Sequence, residues 1–248
     1  MVVDLLVLIG VAMALLAGGF AKGFIGFGMP LVSIPLVTLV VDVRVALALM
    51  TVPIFVSNIR QSFRGGLFGE ILQRFWWLLI AMAAGFVIGG LLIVRLDSDK
   101  LLAVVGLMVM VFVLSSVFQP SLRLPDRLMR PVGLGAGLLG GVLGGLTTLF
   151  GPPLLMFLMA TSLPRNLYVA TIGAIWLIGG LLLIITYASV RILTLELAVY
   201  SLLCVIPALI GMLAGEWVRD RINQRVFRVF TLIALFAIGA SMLRNAFV

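Results

Sequence analysis

An all-α polytopic membrane protein, with about ten helical segments in two inverted repeats, is the fold class this sequence predicts. Three observations carry the prediction. The 248 residues are 63% hydrophobic and only 10% charged, and no polar stretch is long enough for a separate soluble domain. The apolar runs fall into two series with landmarks in the same order. The arginines and lysines between the runs are unevenly placed, as they are around membrane spans.

Taken in order, apolar runs between charges or breakers lie at about 2–21, 24–41, 45–59, 75–94 and 101–118, then at about 132–147, 150–163, 166–186, 194–217 and 226–245. The first is read as a span, not a cleaved signal: its first charge is the acidic Asp4, where a signal peptide would be basic, and the positive Lys22 comes after the run. The second grows out of Gly18 to Pro35, GGFAKGFIGFGMPLVSIP, which is apolar enough for lipid but too broken for one straight helix. Irregular backbone survives in a membrane only where protein buries it or it lines a cavity. The third run carries Thr51, and the fourth carries Gly85 and Gly89, whose spacing suits close helix packing. The fifth ends at the polar connection Gln119 to Pro131.

The second series repeats these landmarks. Gly140 to Pro153 echoes the broken stretch, with Phe150-Gly151-Pro152-Pro153 against Phe27-Gly28-Met29-Pro30. Arg165 matches Arg44, Thr171 matches Thr51, Gly211 and Gly215 match Gly85 and Gly89, and Arg221-Ile222-Asn223 matches Arg95-Leu96-Asp97. The expected organisation is a first transmembrane repeat at 1–118, a cytoplasmic linker at 119–131 and a second repeat at 132–248. The second and third segments of each half run to about 14–21 residues against the roughly 20 a span needs, and are expected to be tilted, broken or re-entrant.

Five crossings per half invert the second half. With the N-terminus outside, twelve of the 17 lysines and arginines fall inside; only Arg44, Arg95, Lys100, Arg191 and Arg244 fall outside. Merging the second and third segments of each half gives eight crossings and nearly erases that bias, so ten segments are preferred. The net charge of +8 is therefore read as orientation in a lipid bilayer, with no nucleic acid partner. Trp76, Trp77 and Trp217, beside Arg74 and Arg219, are expected interface anchors. The single cysteine, Cys204, lies in an apolar run and suits packing.

The chemistry is bounded by what is missing. There is no histidine, and the nine acidic residues all sit at or near segment ends. No catalytic residues, no metal-binding cluster and no cofactor site are expected. A cation carrier would lack its counter-charge. What remains suits an anion. Gly26, Gly28 and Gly151 would expose backbone donors at the breaks, where Pro30 and Pro152-Pro153 let a new helix begin with its positive end toward the site. Thr51, Asn58, Thr147, Thr148 and Thr171 would add side-chain hydrogen bonds, and Lys22, Arg44 and Arg165 would attract or balance charge. Each has a plain alternative: threonines bond their own helix, Lys22 reaches for the interface, and the arginines set topology. Trp176 lies mid-segment, not at an interface.

At GFIGFGMPLVSIP and its partner FGPPLL the chain resembles the sulfite exporter TauE/SafE family, also called the 4-toluene sulfonate uptake permeases. The resemblance covers nearly the whole chain: its length, the duplicated architecture, a Gly-rich break ending in proline in each half, the threonine-bearing segment after it, and G-x-x-x-G followed by a basic residue. Where the family's break reads close to G-x-G-G-G, this chain has Gly26-Phe27-Gly28-Met29, and Thr147 and Thr148 stand where glycines are common in the second break. The resemblance implies a multi-pass transporter in a bacterial inner membrane, carrying a small anionic substrate such as sulfite, a sulfonate or a sulfoacid, by alternating access at a site between the two breaks. A homodimer is compatible with it. Three other readings stay open: a transporter of a carboxylate or other small metabolite, a membrane enzyme acting on a lipid, and a structural subunit.

Overall fold

The computed structural model describes residues 5–26, 28–118, 124–161, 163–219, 221 and 224–246. Phe27, the linker's first five residues, Ser162 and the Ile222-Asn223 pair lie outside them. Among the described residues there are twelve α-helices and one 3-10 turn: α1 (Leu5–Ile25), α2 (Met29–Val37), α3 (Val43–Leu49), α4 (Thr51–Ser62), the turn Arg64–Gly66, α5 (Phe68–Ile93), α6 (Ser98–Phe118), α7 (Asp126–Thr147), α8 (Gly151–Ala160), α9 (Arg165–Ser189), α10 (Leu195–Leu203), α11 (Val205–Arg219) and α12 (Gln224–Ala246). Joining α3 to α4 and α10 to α11, which are interrupted only at Met50 and Cys204, leaves ten segments in the expected order.

Six of these are long and apolar enough to cross a membrane: Leu5–Ile25, Val43–Ser62, Phe68–Ile93, Asp126–Thr147, Asn166–Ser189 and Leu195–Arg219. The second segment of each half is short, as expected. With 9 and 10 residues, α2 and α8 reach only about 14–15 Å at 1.5 Å per residue, half of a roughly 30 Å hydrocarbon core. The third segments are longer than expected, and the first of them is broken at Met50. Val43–Ser62 holds 20 residues and α9 holds 25. The apolar runs are bounded by Arg44, Arg60 and Arg165, charged residues that the helices include. Local chemistry sets the helix starts: Asp42 accepts from the Arg44 N–H at 2.8 Å to cap α3, and proline stands in the first turn of α2 and α8.

The chain forms two compact units, and neither is a sequence half. The first comprises Met1–Pro53, Leu96–Phe118 and Thr194–Val248; the second comprises Ile54–Arg95 and Gln119–Leu193. In the first unit α1 lies against α11 at backbone distance. A Cβ added at Gly19 or Gly23 would meet the carbonyls of Ala208 and Met212; one at Gly211 or Gly215 would meet those of Leu16 and Phe20. Lipid offers helices no hydrophobic drive to associate, so small residues that let backbones touch supply the attraction. The half-length α2 folds back along α1, where the Ser33 hydroxyl donates to Ala14 O at 3.2 Å. Helix α6 meets α12 at Gly106, whose Cβ would lie 3.1 Å from Gly239 O.

In the second unit α5 and α7 repeat the device. Gly85 and Gly89 face the carbonyls of Leu138 and Val142, and a Cβ on Gly145 would lie 2.6 Å from Phe86 O. Here α8 folds back along α7: a Cβ on Gly140 would lie 3.1 Å from Leu154 Cγ, and Leu124 N donates to Ala160 O at 2.9 Å, tying the entry of α7 to the end of α8. Helices α4 and α9 run antiparallel, with Gly180 against Phe55 and Gly173 against Gln61. The Ser62 hydroxyl closes that pair by donating to Gly173 O at 2.7 Å. Trp76 and Trp217 point outward as expected of interface anchors, whereas Trp77 turns inward. Its ring meets Phe157 edge-on at 6.2 Å and fills the space left by Gly133, and its indole N–H donates to Arg74 O.

Candidate functional site

The first break is a two-glycine turn. α1 ends at Ile25, and Gly26 and Gly28 take φ of +96° and +94°, the left-handed region closed to most side chains. The Gly26 N–H donates to Lys22 O at 2.6 Å, so that donor is spent within the turn. A Cβ on Gly26 would meet nothing within 4 Å: its conformation, not crowding, calls for glycine.

The second break uses different chemistry. Thr148 takes the left-handed position, with φ of +62°, and caps α7 by donating its N–H to Gly144 O at 2.7 Å. Its neighbour Thr147 donates its hydroxyl to Leu143 O at 2.8 Å and accepts from the Leu149 N–H at 3.3 Å. Gly151 has an ordinary φ and is needed for space, since a Cβ there would lie 3.1 Å from Cζ2 of Trp176. Counted from the helix starts, Met29-Pro30 pairs with Gly151-Pro152, one residue away from the pairing the sequence suggests. In α8 two of the first three residues are prolines, which have no N–H to offer. Gly151 is the one backbone donor in that run, although the helix still turns its positive end toward the break.

Of the expected site residues, the first unit holds Lys22, Gly26, Gly28, Arg44 and Thr51. Lys22 is buried on α1, and Glu216 of α11 is the acidic group acting on it. The Arg44 guanidinium donates to Leu96 O; its Nε is buried without a partner. Beside it Asp97 pairs with Lys100 at 2.6 Å, and that hydrogen bond holds the Asp97 carboxyl below its usual range. Thr51 is fully buried at the α3–α4 interruption. Its hydroxyl donates to Ala48 O at 2.8 Å and lies 3.3 Å from the hydroxyl of Ser201 on α10. Ser201 in turn donates to Leu49 O and accepts from Val52 N–H, covering two backbone groups the interruption frees.

The second unit holds Asn58, Thr147, Thr148, Gly151, Arg165 and Thr171. Arg165 opens α9; its side chain lies outside the described residues. Asn58 is buried and donates to Ile54 O at 2.6 Å. It stands on α4 between the contacts at Gly180 and Gly173, and so at the level of Trp176. The hydroxyls of Thr148 and Thr171 are buried with no hydrogen-bond partner. Thr148 is 1% and Thr171 0% exposed, and an unpaired buried polar group costs about 1–3 kcal/mol. The two matched threonines therefore differ: Thr51 is satisfied and Thr171 is not.

Sequence reasoning missed Ser201, and it noted Trp176 without giving it a role. The unusual place of a tryptophan mid-segment was the available signal for the second. Nothing local marks Ser201, whose partners lie about 150 residues away in sequence. A family model described as sulfite exporter TauE/SafE matches residues 10–242. No curated protein and no solved structure matches the chain.

Proposed function

Because the chain belongs to the sulfite exporter TauE/SafE family, a family of membrane transporters, we propose that it carries a small sulfur oxyanion of the sulfite, sulfonate or sulfoacid type across a bacterial inner membrane. The second break is where we place the recognition of that anion. The observation that carries this reading is that the buried hydroxyls of Thr148 and Thr171, like that of Tyr187 in the same compact unit, are left without partners. A hydroxyl donates readily to an oxyanion, and a hydrogen bond to a charged partner contributes about 1.5–3 kcal/mol. The positive end of α8 adds a favourable field, Gly151 a backbone donor, and Asn58 an amide on the neighbouring helix. Arg165, which opens α9 in the same unit, would balance the anion's charge, and transport would proceed by exposing the site to the two sides in turn.

Thermal unfolding of the purified protein against sulfite, alkyl and aryl sulfonates, sulfoacids and simple carboxylates tests the reading. A bound anion at a hundredfold excess over Kd stabilises by about 2.7 kcal/mol, which raises the melting temperature visibly. Stabilisation by the sulfur oxyanions is expected. Stabilisation by carboxylates alone moves the substrate to another class, and no response to any anion removes the binding claim.

A further inference from the structure

The rings of Phe86, Phe150 and Trp176 form a row in the second unit, with successive centroids 5.6 Å and 5.4 Å apart. Phe150, in the middle, occupies a notch cut by two glycines. A Cβ on Gly144 of α7 would lie 2.9 Å from Phe150 Cβ, and one on Gly179 of α9 would lie 2.8 Å from its Cε2. Phe150 is 1% exposed, held between these two glycine positions. The row ends against the second break, where a Cβ on Gly151 would lie 3.1 Å from Trp176 Cζ2. Trp176 is 6% exposed and lies near the middle of the 25-residue α9, far from the interface where tryptophan ordinarily anchors a span.

We propose that Trp176 is the wall that limits the size of the anion accepted at the second break. The proposal rests on the reading that this break takes the substrate. Phe150, itself backed by Phe86, packs against the indole, and the missing side chain of Gly151 lets the indole come up against the backbone of the break. Two duties are then divided between neighbours: the unpaired hydroxyl of Thr148, three residues before Gly151, meets charge, and the Trp176 indole limits bulk. A close-packed wall discriminates between ligands by about 10- to 200-fold for each methylene-sized step.

The test is transport by the full chain in proteoliposomes across sulfite, methanesulfonate, butanesulfonate and toluenesulfonate. Variants Trp176→Leu, Trp176→Phe, Gly151→Ala and the double Gly151→Ala/Trp176→Phe are compared with wild type. Trp176→Leu is expected to raise the ratio of bulky to small anion transported by about tenfold or more, with Trp176→Phe smaller in the same direction. Gly151→Ala is expected to lower that ratio, and the double variant to bring it back toward wild type. A structural role would depress all four anions together and leave the ratios alone. Should Trp176→Leu fail to insert, Trp176→Phe and Gly151→Ala carry the comparison. Unchanged ratios in those variants, with transport retained, overturn the wall. Wild-type protein that moves none of the four overturns the transport reading, and the wall with it.

Discussion

Thr148→Val separates a binding hydroxyl from a structural one by the sign of two effects. The Thr148 hydroxyl is buried without a partner, a condition costing about 1–3 kcal/mol that valine removes. Valine keeps the branched shape at φ of +62°, so the cost of a side chain in the left-handed region, about 1–2 kcal/mol, is unchanged. The ligand-free variant is expected to unfold at the wild-type temperature or above it. Its affinity for the anion should fall by about ten- to a hundredfold, the loss of one hydrogen bond to a charged partner. Thr171→Val should show the same two signs. Thr51→Val should show the opposite: its hydroxyl already donates to Ala48 O, so the variant loses about 0.5–1.5 kcal/mol of stability and little affinity. Thermal unfolding of detergent-purified protein and titration calorimetry with sulfite measure both quantities. A Thr148→Val protein that is less stable without ligand, and binds as wild type, would refute the reasoning.

Further predictions follow from the same geometry. If the halves are inverted, single cysteines at Ser98, Arg64 and Arg127 in a Cys204→Ser background should react with an impermeant reagent on intact cells at position 98 only; labelling at 64 but not at 98 would end the ten-segment topology. Gly28→Val should abolish transport while the protein still inserts, because φ of +94° excludes a β-branched residue, and normal uptake would show that the first break is not needed in this form. Gly85→Ala, which the sequence presents as a mild packing change, should destabilise by about 1–3 kcal/mol because its Cβ would meet Leu138 O; an unchanged melting temperature would show that α5 and α7 can separate freely. With no histidine in the chain, transport is expected to follow the membrane potential, worth about 2.3 kcal/mol per charge per 100 mV outward for an anion, and dependence on an imposed pH gradient alone would make it proton-coupled.

The helical segments and the two breaks were legible because both are local. A run of apolar residues needs no partner to announce a span, and Gly-Phe-Gly-Met-Pro stops a helix wherever it stands. The glycine pairs at 85/89 and 211/215 were legible as packing sites, but not their partners. Two features misled in one direction. The charges Arg44 and Arg60 bounded the third run in the sequence, whereas the helical segment Val43–Ser62 includes both and sets Gln61 against Gly173 of α9. Trp77, beside an arginine, suggested an interface, whereas a glycine on α7 admits its ring. The site was less legible because satisfaction of a hydroxyl depends on what lies across from it. Thr51 and Thr171 are alike in the sequence, yet Thr51 donates to Ala48 O and meets Ser201 while the Thr171 hydroxyl is left without a partner. Likewise the left-handed turn at Thr148 falls on a residue type that does not advertise it, so Gly151 looks conformational when it is steric.

The most direct measurement is counterflow of labelled sulfite into proteoliposomes preloaded with unlabelled sulfite, comparing wild type with Thr148→Val and Gly151→Val at equal protein insertion. Uptake by wild type that collapses in both variants is the predicted result. Wild-type uptake no faster than in protein-free vesicles, or full uptake by both variants, would contradict an anion site at the second break.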